Sequence, residues 1–183
     1  MNTQPNDKPR ILIVDDLPEN IRILIELLGT EYATIPATSG AVALKKSQIE
    51  PLPDLILLDI MMPEMNGYEA CRRLKEDPAT SRIPIIFLTA MAELENKTMG
   101  FELGPVDNIT KPFEILEVKA RVKTHLSLVL AGRELERQNE ILEERVRERT
   151  KELALTQEVT IESMATLAEY RDPETGGHIK RTK

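Results

Sequence analysis

From Arg10 to about residue 120 the chain alternates between two textures of apolar and polar positions. Short β-branched or aliphatic runs are RILIV (10–14), YATIPA (32–37), DLILLD (54–59), IPIIFLT (83–89) and the weaker DNIT (107–110). Between them lie stretches with helical periodicity: NIRILIELLGT (20–30), GAVALKKSQIE (40–50), GYEACRRLKED (67–77) and ELENKTMGFELG (93–104). Strands alternating with helices of about 10–12 residues predict βαβ units, hence a parallel sheet with helices on both faces. The first, third and fourth runs are almost continuously apolar, as strands buried on both faces should be. The expected class is therefore α/β, a doubly wound five-stranded parallel sheet, whose ligands sit in the crevice beyond the carboxyl ends of the strands. Residues 1–9 show no periodic pattern and are expected to be disordered.

After Phe113 the texture changes. No proline occurs between Pro112 and Pro173, and the only glycine there is Gly132. Charge dominates, as in RELERQNEILEERVRERTKEL (133–153). Leu128, Leu135 and Leu142 recur every seven residues, with Val146 and Leu153 on the complementary position, which is a coiled-coil seam. Asn139 and Arg149 intrude on it. Beyond Leu153 the register slips by four residues to Gln157, Thr160, Met164 and Leu167, a stutter. A polar-rich helix of this length, roughly 85 Å at 1.5 Å per residue, has little to bury alone. A parallel homodimer through the seam is expected.

Composition narrows the picture. Hydrophobic residues make up 41% but aromatics only 3%, with no Trp, so the core must be aliphatic. A net charge of −7 argues against a nucleic-acid surface, because phosphate binding wants a basic stripe. Cys71 is the only cysteine and cannot form an internal disulfide, which fits a reducing cytoplasm. No apolar run approaches the roughly 18 residues of a membrane span, so no membrane association is expected.

The chemistry lies at the strand ends. Asp15 and Asp16 follow the first strand, Asp59 ends the third, Thr89 ends the fourth and Lys111 follows the fifth. A parallel sheet brings all five into one crevice. Three carboxylates on one small surface repel one another and push up their pKa values. A divalent cation resolves that repulsion, and oxygen-only ligation favours Mg²⁺, which shares its shell with water and phosphate. A hydroxyl at Thr89 and an ammonium at Lys111 suit a phosphoryl group. Asp59 then reads as a nucleophile that forms an acyl phosphate. Taken singly, an acidic pair after a strand is as often a turn or helix cap, and a lone strand-end Asp is more often a cap than a nucleophile. The joint occurrence, in order and at the right strand ends, carries the reading.

The motifs ILIVDD, LILLDIMMPEMNG, IIFLTA and NITKPF resemble the receiver domain of two-component response regulators, over about residues 10–126. The resemblance implies a flavodoxin-like fold, Asp59 as phosphoacceptor and a sensor histidine kinase as donor. It implies Mg²⁺ held by Asp16, Asp59 and the backbone carbonyl of Met61, with Asp15 assisting through water. Thr89 would move to the phosphoryl oxygens, Lys111 would pair with them, and the Lys111–Pro112 bond would be cis, a form proline makes accessible at about 0.5–1 kcal/mol. Two positions depart from the family pattern. Asn108 stands where an aromatic switch residue is usual, and Pro105 stiffens the turn before the fifth strand.

The remaining chain reads as a connector helix, residues 127–170, and the start of an output domain, 171–183. ILEERVRERTKELA resembles connector helices of bacterial signalling proteins. RDPETGGH resembles the opening of HD-GYP domains, metal-dependent phosphodiesterases that hydrolyse cyclic di-GMP. That likeness implies that His178 would ligate metal in a longer protein, with the rest of the output domain beyond Lys183. His125, the only other histidine, is expected to be structural. A competing reading makes the chain a phosphorylation-independent coiled-coil assembly module on a degenerate receiver scaffold, with Asn108 as its support.

Overall fold

The computed structural model describes residues 8–90 and 107–171, with side chains to residue 168. The expected helix at 93–104, Pro105 and the tail carrying His178 lie outside the described residues. The elements are β1 (Arg10–Val14), α1 (Pro18–Leu28), β2 (Ala33–Ala37), α2 (Gly40–Ser47), β3 (Leu55–Asp59), α3 (Gly67–Glu76), β4 (Ile85–Ala90), β5 (Asp107–Lys111) and α4 (Ile115–Arg171). All sheet pairings are parallel, in the order β2-β1-β3-β4-β5. The three almost continuously apolar runs thus occupy the three central places.

Boundaries differ from the sequence expectation where local chemistry decides them. Helix α1 starts at Pro18, because proline at the first helical position has its φ already set and its missing N–H is not needed there. Helix α2 stops at Ser47 and does not reach Glu50, which Pro51 keeps out of the helical region. Strand β5 takes in Lys111 as its last residue.

Period-two alternation divides the aliphatic core between the two sheet faces. Leu12, Val14, Ile56, Leu58 and Phe87 pack with Ala43 of α2 and with Ala70, Cys71 and Leu74 of α3. Ile11, Ile13, Leu57, Leu88 and Ile109 pack with Leu24 and Leu28 of α1 and with Val118, Val122 and Leu126 of α4. Each fully buried aliphatic side chain contributes about 1.5–3 kcal/mol. Tyr68 meets Phe87 edge to face at 5.2 Å. Cys71 is fully buried, and that burial pushes its thiol pKa up to about 11.

The chain divides into two units at Ala131 and Gly132. In the second, the described residues are those of helix α4. Its Leu135, Leu142, Val146 and Leu153 side chains are each more than half exposed. Thr150, Thr156, Thr160, Ser163 and Thr166 each donate their hydroxyl to the carbonyl four residues back. Nothing lies within 4 Å of the place a Gly132 Cβ would occupy. No helix among the described residues is long and apolar enough to cross a membrane.

Candidate functional site: an acidic cluster at the carboxyl edge of the sheet

Strand β1 delivers Asp15 beyond its end, where the Asp15 amide donates to the Ala37 carbonyl at 3.1 Å. The Asp15 side chain is fully buried, and it accepts from the Leu17 amide at 2.9 Å and from Asn20 Nδ2 at 3.0 Å on both oxygens. Asn20 fixes the carboxylate from the first turn of α1. Asp59, also buried, is the last residue of β3. Lys111 closes β5 and places its ammonium 2.7 Å from Asp15 Oδ2 and 2.9 Å from Asp59 Oδ1. Asp16 completes the group: one carboxylate oxygen from each of Asp15, Asp16 and Asp59 lies within 4.8 Å of the others.

Burial raises the Asp59 pKa above the ordinary carboxylate value, and the hydrogen bond from Lys111 does not fully offset it. The Asp15 charge works in the same direction as burial, while the Lys111 charge and the Met61 amide work against it. Burial also works against the Lys111 charge, but its bonds to Asp15 and Asp59 outweigh that and hold the ammonium above its usual pKa. One ammonium against three carboxylates leaves the cluster net negative. Its donors are all oxygen, the set that a hard divalent cation takes. Two ligands on one Mg²⁺ lie at most about 4.2 Å apart, so a small inward shift of these side chains would let one ion take them directly or through a water.

Thr89 lies in β4, in register with Thr110 of β5. Its hydroxyl oxygen is buried and has no hydrogen-bond partner among the described residues. Such a group costs about 1–3 kcal/mol, which a ligand with an acceptor oxygen would recover.

The loop after β3 explains the glycine that follows Asp59. Gly67 opens α3, and its amide donates to the Ile60 carbonyl at 2.9 Å. A Cβ on Gly67 would lie 2.3 Å from the Asp59 carbonyl oxygen and 2.8 Å from Ile60 Cα. Only glycine lets the helix start this close to the strand end. Asn66 caps that helix by accepting from the Glu69 amide at 2.9 Å, and Glu64 takes a left-handed φ of 64° in between.

A family model described as the response regulator receiver domain matches residues 11–123. This chain belongs to the response regulator receiver family. A Vibrio cholerae protein named "Probable cyclic di-GMP phosphodiesterase" is 46% identical over 173 residues, which is 94% of this chain and 39% of that protein. Response regulator PleD of Caulobacter vibrioides is 42% identical over 66% of this chain and 27% of its own length. The chain thus spans well under half of either relative. Among solved structures, the receiver of a Syntrophus aciditrophicus signal transduction histidine kinase is 38% identical, with a TM-score of 0.60 over 65% of this chain and 90% of its own. The receiver of a Pseudomonas aeruginosa sensor histidine kinase, with magnesium coordinated in its cleft, is 27% identical, with a TM-score of 0.60 over 66% of this chain and 98% of its own.

In this receiver, Asp15, Asp16, Asp59 and Lys111 converge at one place, with Thr89 one strand away from Lys111 and in register with its neighbour. Lys111–Pro112 is cis. Asn108 has no ring to rotate. The seam positions Leu128, Leu135, Leu142, Val146 and Leu153 lie on the exposed part of α4, and His178 lies outside the described residues. Asn20, held against Asp15 by the start of α1, is a residue of the site that the strand-end pattern alone does not mark.

Proposed function

We propose that this receiver accepts a phosphoryl group on Asp59 from a phosphohistidine of a sensor histidine kinase, and passes the change through α4 to an output domain. The observation that carries the reading is the pairing of Lys111 with both Asp15 and Asp59, beside a buried Thr89 hydroxyl with no partner among the described residues. An Asp59 carboxylate oxygen attacks phosphorus, the phosphorus–nitrogen bond breaks, and the imidazole nitrogen leaves with the electron pair and takes a proton. Lys111 offsets charge on the phosphoryl oxygens, and Thr89 donates to one of them. Asp16, Asp59 and the Met61 carbonyl, with Asp15 through water, would hold Mg²⁺, which supplies charge neutralisation for phosphoryl transfer.

The test is intact-mass measurement after incubation with acetyl phosphate and Mg²⁺. A gain of one phosphoryl group, absent without Mg²⁺ and absent in Asp59→Asn, is expected. No gain, or a gain that survives in Asp59→Asn, refutes the reading and leaves the assembly-module alternative.

The exposed apolar stripe of α4 takes a second copy of the chain in a parallel dimer, and residues 127–170 act as the connector. The output is a cyclic di-GMP phosphodiesterase, a reading supported by RDPETGGH and by the Vibrio cholerae relative, with His178 as a metal ligand of that domain. Cysteine crosslinking at Leu142 tests the parallel arrangement: a symmetric disulfide dimer is expected.

A further inference from the structure

The receiver holds a second cluster of charge, at the other end of the strand that carries Lys111. Asp107 opens β5. Asp107, Ile109 and Lys111 alternate with Asn108 and Thr110, so they share one face of the strand. Ile109 is fully buried and packs in the same cluster as Val118, Val122 and Leu126 of α4. A polar stripe, Glu117, Arg121 and His125, runs beside that apolar one at the same four-residue interval.

This stripe grips Asp107 on both oxygens. Arg121 Nη1 contacts Oδ1, and His125 Nε2 lies 3.1 Å from Oδ2. The Asn108 amide adds a bond to Oδ1 at 2.8 Å. Glu117 in turn holds Arg121, 3.0 Å from Nε and 2.9 Å from Nη2. Burial would raise the Asp107 pKa, but the bonds from Arg121, His125 and the Asn108 amide outweigh it and hold the carboxyl below its ordinary value. The Asp107 and His125 side chains are only 22% and 15% exposed, so this pairing is worth more than a solvated surface pair. By contrast, the pair that Lys119 of the same helix makes with Glu31, between α1 and β2, is 3.7 Å long and open to solvent.

Strand β5 is an edge strand, hydrogen-bonded to β4 alone. It is therefore the strand of this sheet, together with β2, with the fewest backbone bonds resisting a shift. Its site end is fixed by Lys111, which in this structure divides its ammonium between Asp15 and Asp59. Its far end, about 13 Å away at 3.3 Å per residue, is fixed to α4 by Asp107. Asn108 lies on the opposite face and offers no ring.

We propose that Asp107 is a coupling residue: through Arg121 and His125 it ties β5 to α4, so that a change of partner at Lys111 is carried to the helix that leaves the domain. The inference rests on the phosphoacceptor reading of Asp59. Two bonded ends on one strand make a physical link between the sites, and energetic coupling across it is the property to measure.

The test uses the 183-residue chain with Mg²⁺ and beryllofluoride, a mimic of the phosphoryl group. Fluorine NMR reports binding, and amide hydrogen exchange over residues 118–131 reports the helix. In the wild type, binding changes exchange in that segment by about threefold or more, and in Asp107→Asn by less than about 1.5-fold although the bound resonance is retained. Asp107→Glu keeps the wild-type ratio. Arg121→Gln makes the same cut from the helix side and serves if Asp107→Asn does not fold. A merely structural role would raise exchange with and without ligand alike and leave the ratio unchanged. An unchanged ratio in both variants, or a bound wild type whose α4 does not respond, overturns the inference alone. No bound resonance in the wild type overturns the phosphoacceptor reading with it.

Discussion

Replacing Gly67 with alanine puts one methyl group against the backbone that presents Asp59. The new Cβ would meet the Asp59 carbonyl oxygen at 2.3 Å and Ile60 Cα at 2.8 Å. Neither is the tip of a flexible side chain, so the start of α3 or the end of β3 must move by about 1 Å to restore van der Waals contact. Overpacking of this kind costs about 1–3 kcal/mol. Weakening the Gly67 amide bond to Ile60 adds about 0.5–1.5 kcal/mol. A loss of roughly 2–4 kcal/mol follows, and with a urea m-value of about 2 kcal/mol/M the unfolding midpoint falls by about 1–2 M. The same displacement moves Asp59 and Met61 relative to Lys111, and a 1 Å misplacement of reacting groups slows a reaction by about a hundredfold. Equilibrium urea unfolding and the rate of mass gain from acetyl phosphate read the two effects. A midpoint within about 0.3 M of the wild type, together with an unchanged phosphorylation rate, would refute the reasoning.

Thr89→Val removes the buried hydroxyl at nearly constant volume; it is expected to raise stability by about 1 kcal/mol while slowing phosphoryl gain, and a less stable variant in urea refutes it. Because the Asp59 pKa is raised in the folded chain, ionising it is harder there than in the unfolded chain, even with Lys111 counted. Its contribution to stability is thus full below the unfolded-state pKa and is lost as pH rises through the folded-state value. Asp59→Asn should therefore melt above the wild type at neutral pH, with the gain vanishing near about pH 3; thermal melts at the two pH values decide, and a gain that grows on acidification contradicts the expectation. Gly132→Ala, in open space on α4, should stabilise the helix by about 0.5–1 kcal/mol, seen as a higher melting temperature of the helical circular-dichroism signal; no rise would count against it.

The sheet could be read from the sequence because a parallel strand covered on both faces must be apolar at every position. RILIV, LILL and IIFL meet that demand, and the three lie at the centre. The acidic site followed from the same rule, since parallel strands deliver their carboxyl ends to one edge and each acid needed only to be last in its run. Asn20 was not legible: its bond to Asp15 depends on α1 starting at Pro18, two residues before the helical periodicity becomes visible. Asp107 stands at the head of a weak strand, and nothing in its sequence neighbourhood marks a partner. Its partners lie 14 and 18 residues further on, in a helix whose apolar period predicts burial of Val118 and Val122 but not which polar neighbours face β5. The requirement for Gly67 is likewise a matter of tertiary approach to Asp59, and no pattern of hydrophobicity reports it.

The buried cysteine has a practical consequence for probing the molecule. Thiol reagents attack the thiolate, and a pKa of about 11 leaves on the order of one Cys71 in ten thousand ionised at neutral pH. That residue is also sealed from solvent in the layer between the sheet and α3. The folded receiver is therefore nearly silent toward maleimides and disulfide exchange. A single cysteine introduced on the open face of α4 can carry a fluorophore or spin label, or form a crosslink, against an almost blank background in the native sequence. Labelling at Cys71 in turn becomes a sensitive report of chain opening, because it requires the α3 side of the core to come apart.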